Sequence, residues 1–231
     1  MKLYVYDHCP YCVKARMIFG FKKVPFQLIT LLNDDEESPI SMIGQKMLPI
    51  LELESGDFMP ESLDIIQYID GLMEYGPALV QPSQENEQLQ QWLQDSRQYT
   101  YPLAMPRWIN MGLEEFATPG AVQYFTLKKE KMIGPFIDNL KNSTQLVEDA
   151  KKHLEKLESF LEMDSFIWGD KLSLDDFHVF ATLRVLTAVK ELHFPAKVKK
   201  YSEFMSDRSG VPLHWNIAVN EEDACASLTR L

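Results

Sequence analysis

The sequence predicts a small α/β domain followed by an all-helical domain. Three observations carry this: a strand, helix, strand, helix succession in the first fifty residues, a Pro- and Gly-bearing break near residue 76, and apolar residues at helical spacing with no alternating strand after Gln84. Leu3-Tyr4-Val5-Tyr6 has the aromatic and β-branched content of a short buried strand, and Cys9 to Phe21 follows with Ala15, Met17, Ile18 and Phe19 clustered as on a helix. Phe26-Gln27-Leu28-Ile29 reads as a second strand after Pro25, and Ser38-Pro39 as the start of a second helix with Ser38 as its N-cap. Leu48 to Leu53, the turn Ser55-Gly56-Asp57 and Phe58-Met59 form a hairpin, and a helix from Glu61 to about Leu72 closes the unit. Two crossovers between parallel strands are expected, with the last strands antiparallel.

The expected boundaries are residues 1–72 for the α/β domain, 73–83 for a linker around Tyr75-Gly76-Pro77, and 84–231 for the helical domain. Within the last, Leu146, Ala150, Leu154, Leu157 and Leu161 mark one long amphipathic stretch. Breaks at Pro102, Pro106, Pro119, Pro135 and Pro195 predict five to seven helices.

Composition excludes several function classes. With 23 Lys and Arg against 34 Asp and Glu, the net charge of −11 speaks against nucleic acid and anionic membranes, which select basic faces. No apolar run reaches the roughly 18 residues of a membrane span, and Val179 to Val189, the best candidate, is interrupted by Arg184. The N-terminus turns acidic and Cys-bearing before a signal-peptide core could form, so no export is expected. Three cysteines, two crowded as Cys9-Pro10-Tyr11-Cys12 and one at Cys225, make no disulfide framework and point to a reducing, cytoplasmic setting. A zinc site needs four ligands, and His8, His153, His178, His193 and His214 form no ligand-spaced pair, so no metal is expected.

The chemistry lies in the cysteine pair. Between a strand and a helix, Cys9 sits at a helix N-terminus, where unpaired N–H groups and the macrodipole stabilise a thiolate. Cys12, one turn further in, is placed to attack a mixed disulfide on Cys9, and Pro10 removes an N–H that would otherwise go unsatisfied. Cys9 is the expected nucleophile and Cys12 the resolving thiol.

Tyr6-Asp7-His8-Cys9-Pro10-Tyr11-Cys12 resembles the active site of glutaredoxins, a branch of the thioredoxin fold. Met47-Leu48-Pro49-Ile50 resembles the cis-proline segment of that fold, and Met59-Pro60-Glu61-Ser62 resembles the Glu-Ser pair with which glutathione transferases hold a γ-glutamyl group. With a helical domain behind a thioredoxin-like one, the architecture is similar to glutathione transferases and narrows to the bacterial glutaredoxin 2 family. Lys14 to Gly20, Leu32 to Asp35, Gly44 to Lys46, Pro106-Arg107, Glu115-Phe116 and Thr118-Pro119 also carry that likeness. The resemblance implies a monomeric glutathione-dependent thiol-disulfide oxidoreductase that reduces protein–glutathione mixed disulfides and protein disulfides. Its co-substrate is glutathione, regenerated indirectly by glutathione reductase.

Residue by residue, the resemblance implies that Cys9 and Cys12 are catalytic. Main-chain groups of Leu48, before cis Pro49, meet the cysteinyl unit of glutathione as in strand addition. Ser62 receives the γ-glutamyl carboxylate and Glu61 its ammonium, while Pro10 and Tyr11 shape the rim. The sequence departs from many small glutaredoxins in having Asp7-His8 where a basic residue often precedes the pair, and Pro60-Glu61-Ser62 in place of a Gly-Gly-x-Asp segment. His8 is read as a bystander whose orientation nothing fixes.

Elsewhere Ser173 and Asp176 form a structural capping box. Tyr99, Tyr101, Trp108, Tyr124 and Phe125 are read as helical core, with a lining of the interdomain cleft as the alternative, Lys128-Lys129 and Lys151-Lys152 as solvated faces, and Cys225 as an inert thiol. The rival readings are a glutathione transferase that conjugates electrophiles and a non-enzymatic glutathione-binding or interaction protein.

Overall fold

The computed structural model describes residues 1–162 and 164–228. The expected helical domain runs to 231, so its last three residues lie outside the described ones. The first unit consists of β1 (Lys2–Val5), α1 (Pro10–Lys22), β2 (Gln27–Thr30), α2 (Glu37–Ile43), β3 (Ile50–Glu52), β4 (Phe58–Pro60) and α3 (Ser62–Asp70). The sheet order is β2-β1-β3-β4, with β1 parallel to β2 and antiparallel to β3, and β3 antiparallel to β4.

One parallel crossover is therefore present rather than the two expected. β3 pairs with the other edge of β1, Tyr4 opposite Ile50, and runs antiparallel to it. The start of α2 also differs from expectation. The N-cap position is Glu36, the Asp35 carboxylate just before it accepts the Ser38 N–H at 2.9 Å, and Ser38 falls inside the first turn.

α1 is apolar or buried nearly all round because it is sandwiched: α3 lies on one side and two helices of the second unit on the other. Those are α9 (Leu174–Leu186) and α10 (Ala196–Ser209). Leu3, Ile18 and Phe19 share one core with Phe177, Phe180 and Met205, so the halves are fused by burial, not merely tethered. At Gly20 the approach of α1 to α10 leaves no room for a side chain, since a Cβ there would lie 1.7 Å from the Ser209 carbonyl oxygen.

Residues 73–83 hold a 3-10 turn at Met73–Tyr75 and then run without helix. Polar bonds fasten this stretch at both ends. Lys22 donates to the carbonyls of Asp70, Gly76 and Pro77, the Asp70 carboxylate accepts from Leu79 and Val80, and Gln81 exchanges main-chain bonds with Leu172 and Leu174.

The second unit adds α4 (Glu87–Asp95), α5 (Arg97–Trp108), α6 (Pro119–Ile133), α7 (Phe136–Lys141), α8 (Ser143–Leu157) and, after α9 and α10, α11 (Glu221–Leu228). Eight α-helices are thus found among the described residues, more than the five to seven expected. Pro119 starts α6 and Pro135 and Pro195 precede α7 and α10, but Pro102 and Pro106 lie inside α5. That helix continues because burial of Leu103, Ala104, Arg107 and Trp108 holds it where two N–H bonds are missing. Ala150, Leu154 and Leu157 of α8 are fully buried, with Leu161 beyond a short 3-10 turn. Asp176 accepts from both the N–H and the hydroxyl of Ser173 and from Tyr201 and Ile167, so the expected cap is a buried polar junction. Among the described residues, no helix is long and apolar enough to cross a membrane.

Candidate active site

Cys9 is the N-cap of α1, half-buried, and Cys12 is wholly buried one turn below it. Both are free thiols. The Cys9 pKa is lowered to about 6, first by a hydrogen bond from the Cys12 thiol and then by charge on His8 and the N–H groups of Cys12 and Tyr11, which together outweigh burial. Cys12 moves the opposite way: burial, with the bond and charge of Cys9, pushes its thiol well above the ordinary value, although the Tyr6 N–H donates to its Sγ at 3.4 Å. Two chemically identical groups are therefore split into a nucleophile ionised at neutral pH and a thiol kept protonated beside it.

His8 is not the unoriented bystander expected. It is 6% exposed, its Nδ1 lies 2.7 Å from Glu115 Oε1, and its backbone N–H donates to the same oxygen at 2.9 Å. Trp108, Phe116 and Phe125 pack around the ring. Glu115 lies 107 residues away and is fully buried; burial opposes its ionisation, but His8 prevails and its pKa is lowered. Sequence spacing does not expose such a partner.

Asp7 is the second feature missed. Its carboxylate meets Arg16 Nη1 at 2.5 Å, Arg184 Nη2 at 2.9 Å and His214 Nε2 at 2.7 Å, while Arg184 Nη1 donates to its backbone carbonyl. Burial works against the charge, but His214, Arg184 and Arg16 hold the carboxyl far below the usual range. Arg184, which in the sequence only interrupts an apolar run, is 1% exposed and ties α9 to the loop that carries Cys9.

The Leu48–Pro49 peptide bond is cis. Leu48 is 8% exposed, and its N–H and C=O have no protein partner among the described residues. Glu61 takes a positive φ of 69° at the N-cap of α3, and Ser62, buried, is the first residue of that helix. Tyr11 is half-exposed. A cavity of about 450 Å³ opens on Cys9, Pro10, Tyr11 and Leu48 and is closed on the helical side by Tyr101, Trp108, Tyr124 and Phe125. Those four aromatics do not serve the core alone, as expected; they also face this cleft, whereas Tyr99 packs on His153. Lys129 is half-buried over the Phe125 ring, and Lys128, exposed as expected, donates to the Tyr124 hydroxyl, so the pair borders the cleft with Lys128 on its solvated side. Lys151 and Lys152 are exposed, and Cys225 is half-buried with its pKa raised by burial. Among the described residues, no cluster of three His, Cys, Asp or Glu could hold a metal ion.

Residues 88–218 match the family model for the C-terminal domain of glutaredoxin 2, and residues 3–98 match that for the N-terminal domain of glutathione S-transferase. Glutaredoxin 2 of Escherichia coli K12 is 40% identical over 219 residues, which is 95% of this chain and all of the relative. The chain belongs to the glutaredoxin 2 family. It is accordingly a glutathione-dependent oxidoreductase with a thioredoxin-like domain and a transferase-like helical domain. The crystal structure of glutaredoxin 2 from Salmonella typhimurium in complex with glutathione superposes with a TM-score of 0.89 at 41% identity, over 94% of this chain and 98% of that one. A glutathione S-transferase from Ceriporiopsis subvermispora shares the fold, with a TM-score of 0.63 at 15% identity over 94% of this chain and 97% of that one.

Proposed function

We propose that this glutaredoxin 2 family member reduces protein–glutathione mixed disulfides and protein disulfides through Cys9. The Cys9 thiolate attacks the glutathione sulfur of a mixed disulfide, the protein thiolate leaves and takes a proton, and Cys9 becomes glutathionylated. A second glutathione thiolate then attacks that adduct, giving oxidised glutathione and regenerating Cys9. With a protein disulfide, Cys9 forms the mixed disulfide, Cys12 loses its proton and displaces the second protein thiol, and two glutathiones reduce the Cys9–Cys12 bridge.

The observation that carries this reading is the split of the two thiols: Cys9 half-buried at a helix N-terminus with its pKa lowered to about 6, and Cys12 beneath it. Glutathione is assigned to the groove between the cis Leu48–Pro49 segment and α3. Leu48 offers an unpaired N–H and C=O to the cysteinyl unit, the N-terminus of α3 with Ser62 takes the γ-glutamyl carboxylate, Glu61 takes its ammonium, and Pro10 and Tyr11 border the sulfur. The Salmonella relative was crystallised in complex with glutathione, which supports glutathione as the ligand. Conjugation, the rival reading, needs a Tyr or Ser to activate the thiol of glutathione, and here a cysteine pair occupies that place. A reducing cytoplasmic setting, a monomeric state and recycling by glutathione reductase complete the reading. Oxidised glutathione mixed with Cys12→Ser is expected to leave one glutathione on Cys9, seen by peptide mass spectrometry. No adduct at Cys9, or an equal adduct in Cys9→Ser, would refute it.

A further inference from the structure

A second cavity of about 530 Å³ adjoins the one on Cys9, sharing Pro10, Tyr11, Arg97 and Tyr101 with it. It lies between α1, α4, α5 and α9, within the size range of small-molecule sites. Its wall holds a buried cation with no ion-pair contact among the described residues. Lys14 is 7% exposed, its Nζ sits 4.6 Å from the Tyr11 ring centre, and its one hydrogen-bond partner among the described residues is His178 Nδ1 at 3.5 Å. No carboxylate of the described residues comes within 4.0 Å of it.

The other charges around Lys14 do not supply a close partner. Arg97 of α5 repels it, and Glu61 and the Cys9 thiolate attract it without an ion-pair contact. Asp175 of α9 lines the cavity, but its oxygens are taken by Ser83 Oγ–H, the Gln84 N–H and the Trp168 Nε1–H. His178, pushed down to about 4 by burial and by Lys14, is neutral at pH 7. A buried ammonium with a single hydrogen bond among the described residues is costly unless an anion joins it. Leu93, Ala181 and Val185 supply apolar wall beside it.

We propose that this cavity binds a carboxylate carried on an apolar stem, with the oxygens on Lys14 and Arg97 and the stem against Leu93 and Val185. The carboxylate has two possible sources. One is an acidic side chain near the disulfide of a substrate held at Cys9, which rests on the function proposed above; the other is a free organic acid.

Calorimetry of the reduced protein with 4-phenylbutyrate and its neutral amide tests the site, and glutathionylated peptides differing only as Glu or Gln two residues from the cysteine test the source. A charge-assisted bond of about 1.5–3 kcal/mol corresponds to a preference of about tenfold or more for the charged member. That preference is expected to vanish in Lys14→Met and to persist in Lys14→Arg. Discrimination in calorimetry with equal kcat/KM for the two peptides assigns a free acid; a Glu-peptide preference assigns the substrate side chain. No discrimination in either measurement, or discrimination that survives Lys14→Met, overturns the site. Should Lys14→Met fail to fold, absence of discrimination in the wild type alone overturns it. If the wild type reduces no peptide and no small-thiol mixed disulfide but still discriminates in calorimetry, the proposed function fails and the site stands.

Discussion

Replacing Asp7 by Asn keeps the shape of the side chain and removes the charge that holds three basic groups where the two halves meet. Arg184, at 1% exposure, has the Asp7 carboxylate as its one ion-pair contact among the described residues, and Arg16 and His214 close on the same two oxygens. Removing one partner of a buried pair costs about 3–5 kcal/mol. Arg184 keeps its bonds to the carbonyls of Pro212 and Asp7, which places the expected loss near the lower end, about 3 kcal/mol. For a chain of this size that lowers Tm by about 6–12 °C. The pH dependence has a definite sign. Asp7 is held far below its unfolded value of about 3.9, so its contribution is full above about pH 5 and is lost as the pH falls below that, when the unfolded chain takes up the proton first. Thermal denaturation of wild type and Asp7→Asn across pH 3–8 checks both points. A gap under about 1 kcal/mol at pH 7, or one that does not narrow below pH 4, would refute the reasoning.

Gly20→Ala drives a Cβ into the Ser209 backbone; the overpacking of about 1–3 kcal/mol or more exceeds the helix-propensity gain of about 1 kcal/mol, so urea denaturation is expected to show a net loss, and equal stability would contradict the close approach. Alkylation of Cys9 by iodoacetamide is expected to rise with a midpoint near pH 6 in the reduced wild type and to shift upward in Cys12→Ala, which lacks the hydrogen bond that contributes most; an unmoved midpoint would contradict that cause. Glu115→Gln removes the anion that orients His8 and is expected to raise the same midpoint, with Glu115→Asp intermediate; no change in either would separate His8 from thiolate stabilisation. His153, lowered to about 4 by burial between Trp92 and Tyr99, takes up its proton in the unfolded chain first, so it removes stability as the pH falls from 6.5 to 4; His153→Gln should flatten the urea midpoint over that range.

The parts of this molecule legible in the sequence are those whose cause is local. A strand-helix junction with Cys9-Pro10-Tyr11-Cys12, a hairpin turn at Ser55-Gly56-Asp57 and the spacing of Ala150, Leu154 and Leu157 each act within a few residues. Long-range pairing is not written in spacing. Glu115 reaches His8 across 107 residues and Arg184 reaches Asp7 across 177, and both appear in the sequence as an ordinary acid and a break in an apolar run. The side of β1 on which β3 pairs, and its direction there, are likewise set by long-range pairing that no local pattern encodes. Pro102 and Pro106 mislead for a related reason: proline chemistry argues for a break, and tertiary burial of α5 overrides it. The burial of Lys14 against His178 of α9, 164 residues away, is likewise a contact that no spacing encodes.

The central claim is that Cys9 alone carries the reduction of glutathione mixed disulfides. The direct measurement is turnover of the mixed disulfide of glutathione with a small thiol, coupled to glutathione reductase, for wild type, Cys9→Ser and Cys12→Ser at matched concentration. Loss of turnover in Cys9→Ser with turnover retained in Cys12→Ser is the expected result. Turnover that survives Cys9→Ser, or that is absent from all three, would contradict the account.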